Sequence, residues 1–290
     1  MLNLLTIIWE ADLMIGNSAL SREFWENGKS ASCPIIDMHG HMGDFHSIYF
    51  PRGDTAAMIR TMDECGVRML VFSHHTALFS PDLANTRSVE AVRKFPDRLR
   101  AYCAINPNYP EIVEREVASF ADFFPDVYVG FKFLSDYHQI PLTDDRYKPA
   151  WEYADARGLL VLAHTWGGSR FDGENVVRQV AERYPSVKFL LGHSCHGAWD
   201  AAVHLARDFP NIYLELTAVF DDRGVIEKFV REAGSDRMLF GTDLPWFDPH
   251  HAVGVLLNAD ISDEDRHNIC HRNAERLLAP LVEGDGAGVS

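Results

Sequence analysis

The chain has 290 residues, of which 47% are hydrophobic and 24% charged, a composition typical of a folded globular protein and not of a disordered one. Its 27 Lys and Arg against 42 Asp and Glu give a net charge of −15, and this negative field argues against nucleic acid as a partner. A small anionic substrate stays compatible with this charge, because a metal ion and a few basic side chains can reverse the potential inside a pocket.

The first 33 residues precede any strand pattern, and we expect residues 1–33 to form an N-terminal extension that packs on the main domain. Their opening run MLNLLTIIW is apolar but lacks a positive flank and soon meets Glu10 and Asp12, so we expect neither a signal peptide nor a membrane span. The five cysteines form no CxxC pair, and their odd number leaves one unpaired in any full disulfide scheme. Both features favour a reducing compartment. We therefore expect a cytoplasmic protein whose cysteines are core thiols.

From residue 34, short apolar runs rich in β-branched residues alternate with longer amphipathic stretches, the pattern of βα units on a parallel sheet. Eight runs are predicted strands: PIIDMH (34–39), VRMLVFS (67–73), LRAYCAI (99–105), VYVGFKF (127–133), LLVLAH (159–164), VKFLLGH (187–193), NIYLELT (211–217) and RMLFGTD (237–243). Successive runs start 24 to 33 residues apart, which leaves room for a crossover helix each time. The predicted fold is α/β, a (β/α)8 TIM barrel over residues 34–282.

Local signals place helices between the strands. The stretch DTAAMIRTMDEC begins on Asp54, a residue type that caps helix N-termini. Gly66, Gly158 and Gly234 stand where helix-ending glycines belong. The stretch RNAERLLAPLV predicts a C-terminal helix after the last strand.

The strand ends carry polar residues, and in barrels the active site forms at the carboxyl ends of the strands. Strand 1 ends in DMHGH, strand 5 in His164, strand 6 in His193 and strand 8 in Asp243. His39 and His41 are two residues apart on an extended chain, so both imidazoles point to the same side. Three imidazoles and a carboxylate, with one position left for water, suit Zn²⁺ or a neighbouring first-row ion. We expect one divalent metal, Zn²⁺ in the first place and Mn²⁺ or another first-row ion as alternatives.

Six segments make a family resemblance specific: IIDMHGHMG, GFKF, LAHTWGG, LLGHSCHG, RMLFGTDLPW and RNAERLL, spread over residues 35–278. In order and spacing they resemble the amidohydrolase superfamily, and its branch that includes aminocarboxymuconate-semialdehyde decarboxylase and related hydrolases. The resemblance implies that His39, His41, His164 and Asp243 are metal ligands, that His193 touches the substrate or the metal-bound water, and that Asp243 also moves protons. A metal ion lowers the pKa of bound water from 15.7 to roughly 7, which makes hydroxide available at neutral pH.

Lys132, in GFKF, is the ambiguous position. In two-metal amidohydrolases a lysine that ends strand 4 is carboxylated and bridges the metals, and His193 then binds the second ion. The branch that this chain resembles usually has one metal, so we expect one ion and a Lys132 amine that contacts the substrate. A charge pair between Lys132 and a carboxylate at the barrel mouth is the alternative.

Loop residues beside the ligands are candidates for substrate binding, because specificity often lies in such loops. Trp166 and Arg170 follow His164, and Trp246 follows Asp243. The structural alternatives are that Trp246 packs the barrel mouth and that Arg170 is a solvated surface charge.

The leading functional expectation is a metal-dependent hydrolase that uses metal-activated water to cleave an amide, lactone or ester of a small molecule, which can carry a carboxylate. The alternative is a metal-dependent, non-oxidative decarboxylase of an aromatic or muconate-like acid, with Asp243 delivering a proton to carbon. A non-catalytic barrel subunit is a third hypothesis, disfavoured because four polar ligands facing one cavity are costly to bury. We expect a small-molecule substrate, no nucleic acid and no membrane as partners, and leave a homo-oligomer open.

Overall fold

The computed structural model describes residues 18–283, with side chains described to residue 279. Within these residues, eight parallel strands form one sheet in chain order. They are β1 Ile35–Met42, β2 Val67–His74, β3 Leu99–Ile105, β4 Tyr128–Phe133, β5 Leu160–Trp166, β6 Lys188–His196, β7 Ile212–Glu215 and β8 Met238–Leu239. Each predicted run overlaps one of these strands, so the predicted (β/α)8 TIM barrel is confirmed. The eighth strand is much shorter than the run RMLFGTD suggested.

Among the same residues, thirteen α-helices accompany the strands. They are α1 Ala19–Asn27, α2 Thr55–Cys65, α3 His75–Phe79, α4 Pro81–Lys94, α5 Pro110–Ser119, α6 Ser135–His138, α7 Lys148–Arg157, α8 Glu174–Arg183, α9 Trp199–Asp208, α10 Val225–Ala233, α11 Pro249–Asn258, α12 Asp263–His267 and α13 Asn273–Glu283, with a π-helical turn at Asn268–Arg272 between the last two. Asp54 caps α2 by accepting from the amide of Ala57, and Gly66 ends it with φ of 80°. The predicted terminal helix is α13.

The barrel closes where β8 meets β1, and we call this contact the β8–β1 seam. Only three backbone hydrogen bonds cross it: Met38 N to Phe240 O at 2.9 Å, Asp243 N to His39 O at 2.7 Å and His41 N to Leu244 O at 2.6 Å. Because β8 is so short, the seam is made largely by the chain just beyond the strand. This same stretch carries Asp243 towards the histidines of β1.

The core has two layers. The outer layer lies between the strands and the surrounding helices and contains most of the buried apolar residues, while all five cysteines are free and buried. The inner layer fills the barrel on the side where the strands begin, and two residues of α13 complete it. It consists of Ile36, Met38, Val71, Tyr102, Val129, Leu160, Leu162, Leu190, Leu239, Ala274 and Leu277. The other end of the barrel, where the strands finish, is left for polar residues.

The described part of the N-terminal segment packs on the barrel's last helices. Ser21 Oγ and Trp25 Nε1 of α1 both donate to Asn258 Oδ1 of α11, at 2.6 and 2.7 Å, and Ser18 Oγ donates to Asp263 at 2.5 Å. Residues 1–17, including MLNLLTIIW, lie outside the described residues, so the extension over 1–33 stays a prediction. Among residues 18–283, no helix combines the length and hydrophobicity needed to cross a lipid bilayer.

Candidate active site and metal-binding residues

The two histidines of β1 are buried, and their rings are held by residues of β7 and β2. His39 Nδ1 donates to Glu215 Oε2 at 2.8 Å, and His41 Nδ1 lies 3.0 Å from Ser73 Oγ. A carboxylate that holds Nδ1–H leaves the lone pair on Nε2, the arrangement typical of a metal-binding histidine. Both Nε2 atoms face Asp243 Oδ1, at 3.4 Å from His39 and 3.0 Å from His41.

The histidines of β5 and β6 complete the cluster. His164 Nδ1 contacts Asp172 Oδ2 at 2.9 Å, and its ring centre lies 4.8 Å from that of His193. The possible ligand atoms of His39, His193 and Asp243 lie within 4.8 Å of one another. Among the described residues, neither His193 Nδ1 nor Asp243 Oδ1 has a partner with hydrogen-bond geometry, although both atoms are buried. Buried atoms of this kind need a partner, so the donor set fits a cation.

Backbone strain is concentrated at the same strand ends. Residues 193–195 have φ of 67°, 50° and 52°, and Asp243 has φ of 57°. Non-glycine residues in this left-handed region cost of order 1–3 kcal/mol each and persist where surrounding contacts fix them. Here the backbone N–H of His193 donates to Glu215 Oε2 at 3.2 Å, and that of Cys195 donates to Thr165 Oγ1 at 2.8 Å. The position of the His193 ring is thus set by bonds from β5 and β7.

Burial and neighbouring charges determine the protonation of the cluster. Burial lowers the pKa of His39 and of His193 well below the ordinary value, which favours the neutral form that binds a cation. Burial alone would raise the pKa of Asp243, but the neighbouring His39 and His41 outweigh it and hold that pKa well below the usual value. Asp243 is therefore ionised, which suits cation binding.

Lys132 lies inside the cluster rather than at its rim. Its side chain is buried, and its Nζ lies 2.8 Å from His39 Nε2. Burial lowers the pKa of this amine to about 8, although Asp243 and Glu215 favour its charged form. The nearest polar partner of the Lys132 amine is thus an imidazole. The alternative from the sequence was a charge pair with a carboxylate at the barrel mouth.

A cavity of about 180 Å³ opens above the cluster. The histidines, Asp243 and Lys132 line its polar part, and Trp166 and Trp246 line its wall together with other aromatic residues, namely Phe45, Tyr137 and Phe247. Arg170 does not line this cavity: it is exposed, and its guanidinium lies 4.5 Å from the ring centre of Phe171. The expectation that Arg170 contacts substrate therefore stays a prediction, with its side chain exposed in the loop after β5.

Three residues that orient the site were not assigned a role from the sequence. Glu215 and Asp172 hold His39 and His164, and His75 stacks on His41 with ring centres 4.9 Å apart. His75 is itself fixed, since Trp246 Nε1 donates to its Nε2 at 2.9 Å and its Nδ1 donates to the Gly43 carbonyl at 2.6 Å. A signal for Glu215 was present, because it is the one charge within the apolar run IYLEL.

Comparisons with known proteins agree with this architecture. The Amidohydrolase family matches residues 36–279 of the chain. A gamma-resorcylate decarboxylase from Polaromonas sp. strain JS666 is 25% identical over 281 residues, which cover 76% of this chain and 86% of the relative. Another from Rhizobium sp. strain MTP-10005 is 25% identical over 306 residues, which cover 88% of this chain and 90% of the relative.

Solved structures show the same fold. The 5-carboxyvanillate decarboxylase of Sphingomonas paucimobilis superposes with a TM-score of 0.70 at 16% identity, covering 85% of this chain and 99% of that one. A dihydroxybenzoic acid decarboxylase from Polaromonas sp. JS666, solved with manganese and the inhibitor 2-nitroresorcinol, gives a TM-score of 0.69 at 20% identity, covering 86% and 97%. At such identities the likeness establishes the fold alone.

The family match runs from β1 to α13, so the resemblance seen in the six sequence segments is confirmed. The curated relatives are decarboxylases, which favours the decarboxylase alternative over the leading hydrolase expectation. The third hypothesis, a non-catalytic barrel, is set aside. This chain belongs to the Amidohydrolase family and is an enzyme of the amidohydrolase superfamily.

Proposed function

We propose that this enzyme is a metal-dependent decarboxylase of a hydroxylated aromatic acid. The observation that carries the proposal is the cavity, in which an aromatic wall stands over a floor of histidines, Asp243 and Lys132. Relatives that decarboxylate gamma-resorcylate support it, as does a solved decarboxylase that holds 2,6-dihydroxybenzoate. The decarboxylase alternative thus replaces hydrolysis of an amide, lactone or ester as the preferred activity.

The wall offers flat faces to a planar substrate. Trp166 stacks on His164 with ring centres 5.9 Å apart and planes within 7°, and Tyr137 meets His164 edge-on at 6.0 Å. On the other side, Phe45 meets Trp246 edge-on at 5.1 Å. Aromatic contacts of this type add about 0.5–1.5 kcal/mol each beyond the area they bury. An aromatic ring held between these groups directs its carboxylate towards the cationic and imidazole groups of the floor.

In this proposal His39, His41, His164 and Asp243 hold one divalent ion, and His193 lies beside it. When bound, the ion acts as a Lewis acid that holds substrate oxygens and offsets their negative charge. Imidazole and carboxylate ligands accept either Zn²⁺ or Mn²⁺. Zn²⁺ stays a prediction from the sequence, whereas manganese is bound in one of the structural neighbours.

Asp243 is the residue to which we assign proton transfer. The reaction breaks the bond between a ring carbon and the carboxylate, releases CO₂ and places one proton on that carbon. Ionised Asp243 takes the proton of a substrate hydroxyl and delivers it to the ring carbon, and the electron pair of the broken bond then returns through the ring to the hydroxyl oxygen. Solvent protonates that oxygen, so one proton is consumed per CO₂ released. Lys132 and neutral His193 position the substrate oxygens.

The test is turnover by purified protein loaded separately with Mn²⁺ and with Zn²⁺. The substrates are 2,6-dihydroxybenzoate and 5-carboxyvanillate, beside a panel of lactones, esters and N-acyl amides, and the products are CO₂ and the decarboxylated phenol. In the reverse direction, ¹³C-bicarbonate and resorcinol should give a labelled acid, which a hydrolase cannot make.

Asp243→Asn should slow both directions by about 10²- to 10⁴-fold, while the matched exposed change Asp260→Asn should leave them unchanged. Cleavage of the lactones or amides without any CO₂ release or ¹³C incorporation would refute the proposal in favour of the hydrolase.

A further inference from the structure

A second group of metal-binding side chains lies at the opposite end of the barrel. Cys33 stands two residues before β1, His267 ends α12 and His271 lies in the π-helical turn. Their possible ligand atoms lie within 4.8 Å of one another, with Cys33 buried and both histidines partly exposed. The rise of an extended chain puts roughly 20 Å between Cys33 and the histidines near the end of β1. The group is therefore separate from the catalytic cluster.

The fold fixes this group from both sides of the β8–β1 seam. Cys33 leads directly into β1, whereas the π-helical turn is tied to β8, since Phe240 N donates to Ile269 O at 3.2 Å. His267 and His271 are four residues apart, a spacing that places two helical histidines on one face and is used by zinc-binding helices. A cation held by all three residues thus joins the chain before the first strand to the chain after the last.

The ring orientations suit a cation. His271 Nδ1 lies 3.1 Å from Glu275 Oε2, so it carries the proton and its Nε2 presents a lone pair. This Nε2 accepts a hydrogen bond from His267 Nδ1 at 3.0 Å, a bond that a cation held by both rings would replace. In a tetrahedral zinc site with Zn–N distances of about 2.0–2.1 Å, two nitrogen ligands are about 3.3 Å apart. The distance between His271 Nε2 and His267 Nδ1 therefore needs to increase by only a few tenths of an ångström.

We propose that Cys33, His267 and His271 form a second cation site, which takes an ion of the zinc class and has a structural role. A thiolate with two imidazoles prefers Zn²⁺ or Co²⁺ over Mg²⁺, Ca²⁺ and Mn²⁺, which prefer oxygen ligands. Solvent can supply the fourth ligand on the side where the two histidines are exposed. Neither the family match nor the named relatives assign an ion to these three residues.

Cobalt provides a direct test, because a thiolate bound to Co²⁺ gives a charge-transfer band in the near ultraviolet. The catalytic cluster, as described above, contains no cysteine, so this band reports the second site alone. The purified full-length protein is titrated with Co²⁺ under a metal-free phosphine reductant that keeps the cysteines reduced. Because the catalytic cluster also takes Co²⁺, we expect the band to saturate by two equivalents of Co²⁺ per chain and Zn²⁺ to displace it.

Cys33→Ser should abolish the band, and His267→Gln and His271→Gln should weaken it by at least tenfold in affinity. The matched controls Cys65→Ser, at the buried end of α2, and His204→Gln, at an exposed position in α9, should keep it. Because His267 and His271 are partly exposed, their variants test the site even if Cys33→Ser fails to fold. A wild-type protein without the band at saturating Co²⁺, or a band that persists in folded Cys33→Ser, would overturn the proposal.

The second site and the catalytic proposal can fail independently. The double change His39→Ala with His41→Ala should remove the catalytic ion and turnover but leave the thiolate band in place. Cys33→Ser should leave decarboxylation at saturating Mn²⁺ unchanged and remove only the second equivalent of zinc. A loss of the band in the double β1 variant would contradict the separate location inferred here.

Discussion

Replacing Glu215 by glutamine tests how far one buried carboxylate controls the metal cluster. Glu215 Oε2 accepts from His39 Nδ1 at 2.8 Å and from His193 N at 3.2 Å, while Oε1 accepts from Thr217 N at 2.6 Å and Thr217 Oγ1 at 2.7 Å. Glutamine keeps the size but offers one acceptor oxygen and one NH₂ donor. Both sides present a fixed backbone N–H, so the new donor meets another donor whichever way the amide turns.

Either orientation weakens His39 as a ligand. If the NH₂ faces His39, the ring accepts at Nδ1 and carries its proton on Nε2, which then cannot bind a cation. If the oxygen faces His39, the ring keeps its tautomer but its acceptor becomes neutral, a loss of about 1 kcal/mol, which is the difference between a charged and a neutral hydrogen bond. Removing such partners of metal-binding histidines typically costs about 10- to 100-fold in metal affinity. We expect Glu215→Gln to raise the Kd for the catalytic ion by this factor.

The assay is Mn²⁺ titration followed by electron paramagnetic resonance, because Mn²⁺ disfavours the thiolate site. Thr217→Val is the matched control, since it removes one donor to Glu215 but keeps the carboxylate facing His39, and it should shift the Kd much less. Melting curves establish that both variants fold. A folded Glu215→Gln protein that binds Mn²⁺ as tightly as the wild type would refute the role assigned to Glu215.

Three further predictions concern single residues. Asp243→Asn should keep a substantial fraction of the metal yet lose about 10²- to 10⁴-fold in turnover per bound ion, as expected for loss of a proton-transferring group. Full recovery of turnover on adding metal would remove Asp243 from that role and leave His193 as the better candidate for proton transfer. Lys132 should be unmodified with one Mn²⁺ per chain at the catalytic cluster, and a crystal structure with a carboxyl group on its Nζ between two ions would contradict this. Burial lowers the pKa of His138 from 6.5 to about 4. In the window between these two pH values the imidazole takes up a proton in the unfolded chain but not in the folded one. The free energy of unfolding should fall as pH drops through the window, by up to roughly 3 kcal/mol from this group, and chemical denaturation should show a flatter pH dependence for His138→Gln.

The fold was predictable because each strand of a barrel is covered on both faces and appears as a short continuous apolar run. All eight strands were found this way. The exception in length is β8, where the run RMLFGTD continues beyond Leu239 with only scattered hydrogen bonds to β1, since Phe240 N donates to Ile269 O instead of to a neighbouring strand. Apolar character alone does not distinguish a paired residue from one that is only buried.

The cluster residues were predictable only as polar residues at strand ends. His39, His41, His164, His193 and Asp243 all lie at the predicted face, and the structure brings them to one cavity. Their roles as ligands stay predictions, as do those of Lys132, Trp166 and Trp246.

What the sequence did not contain was the pairing of residues distant in the chain. Asp172 reaches His164 through a loop, and nothing in the sequence of that loop marks it. Cys33 meets His267 and His271 only because the barrel closes on itself. Arg170 shows that proximity in sequence to His164 does not by itself put a side chain on the cavity wall.

The inner core has a consequence for synthesis on the ribosome. Ala274 and Leu277 of α13 fill the base of the barrel beside Ile36 and Met38 of β1. A nascent chain makes β1 long before α13, so the base of the barrel stays open to water until α13 has left the exit tunnel. During that interval apolar strand residues are exposed to chaperones and to other nascent chains. Ribosome-bound chains that stop before residue 274 should therefore remain sensitive to protease, and chains extended past the tunnel should become resistant in a single step.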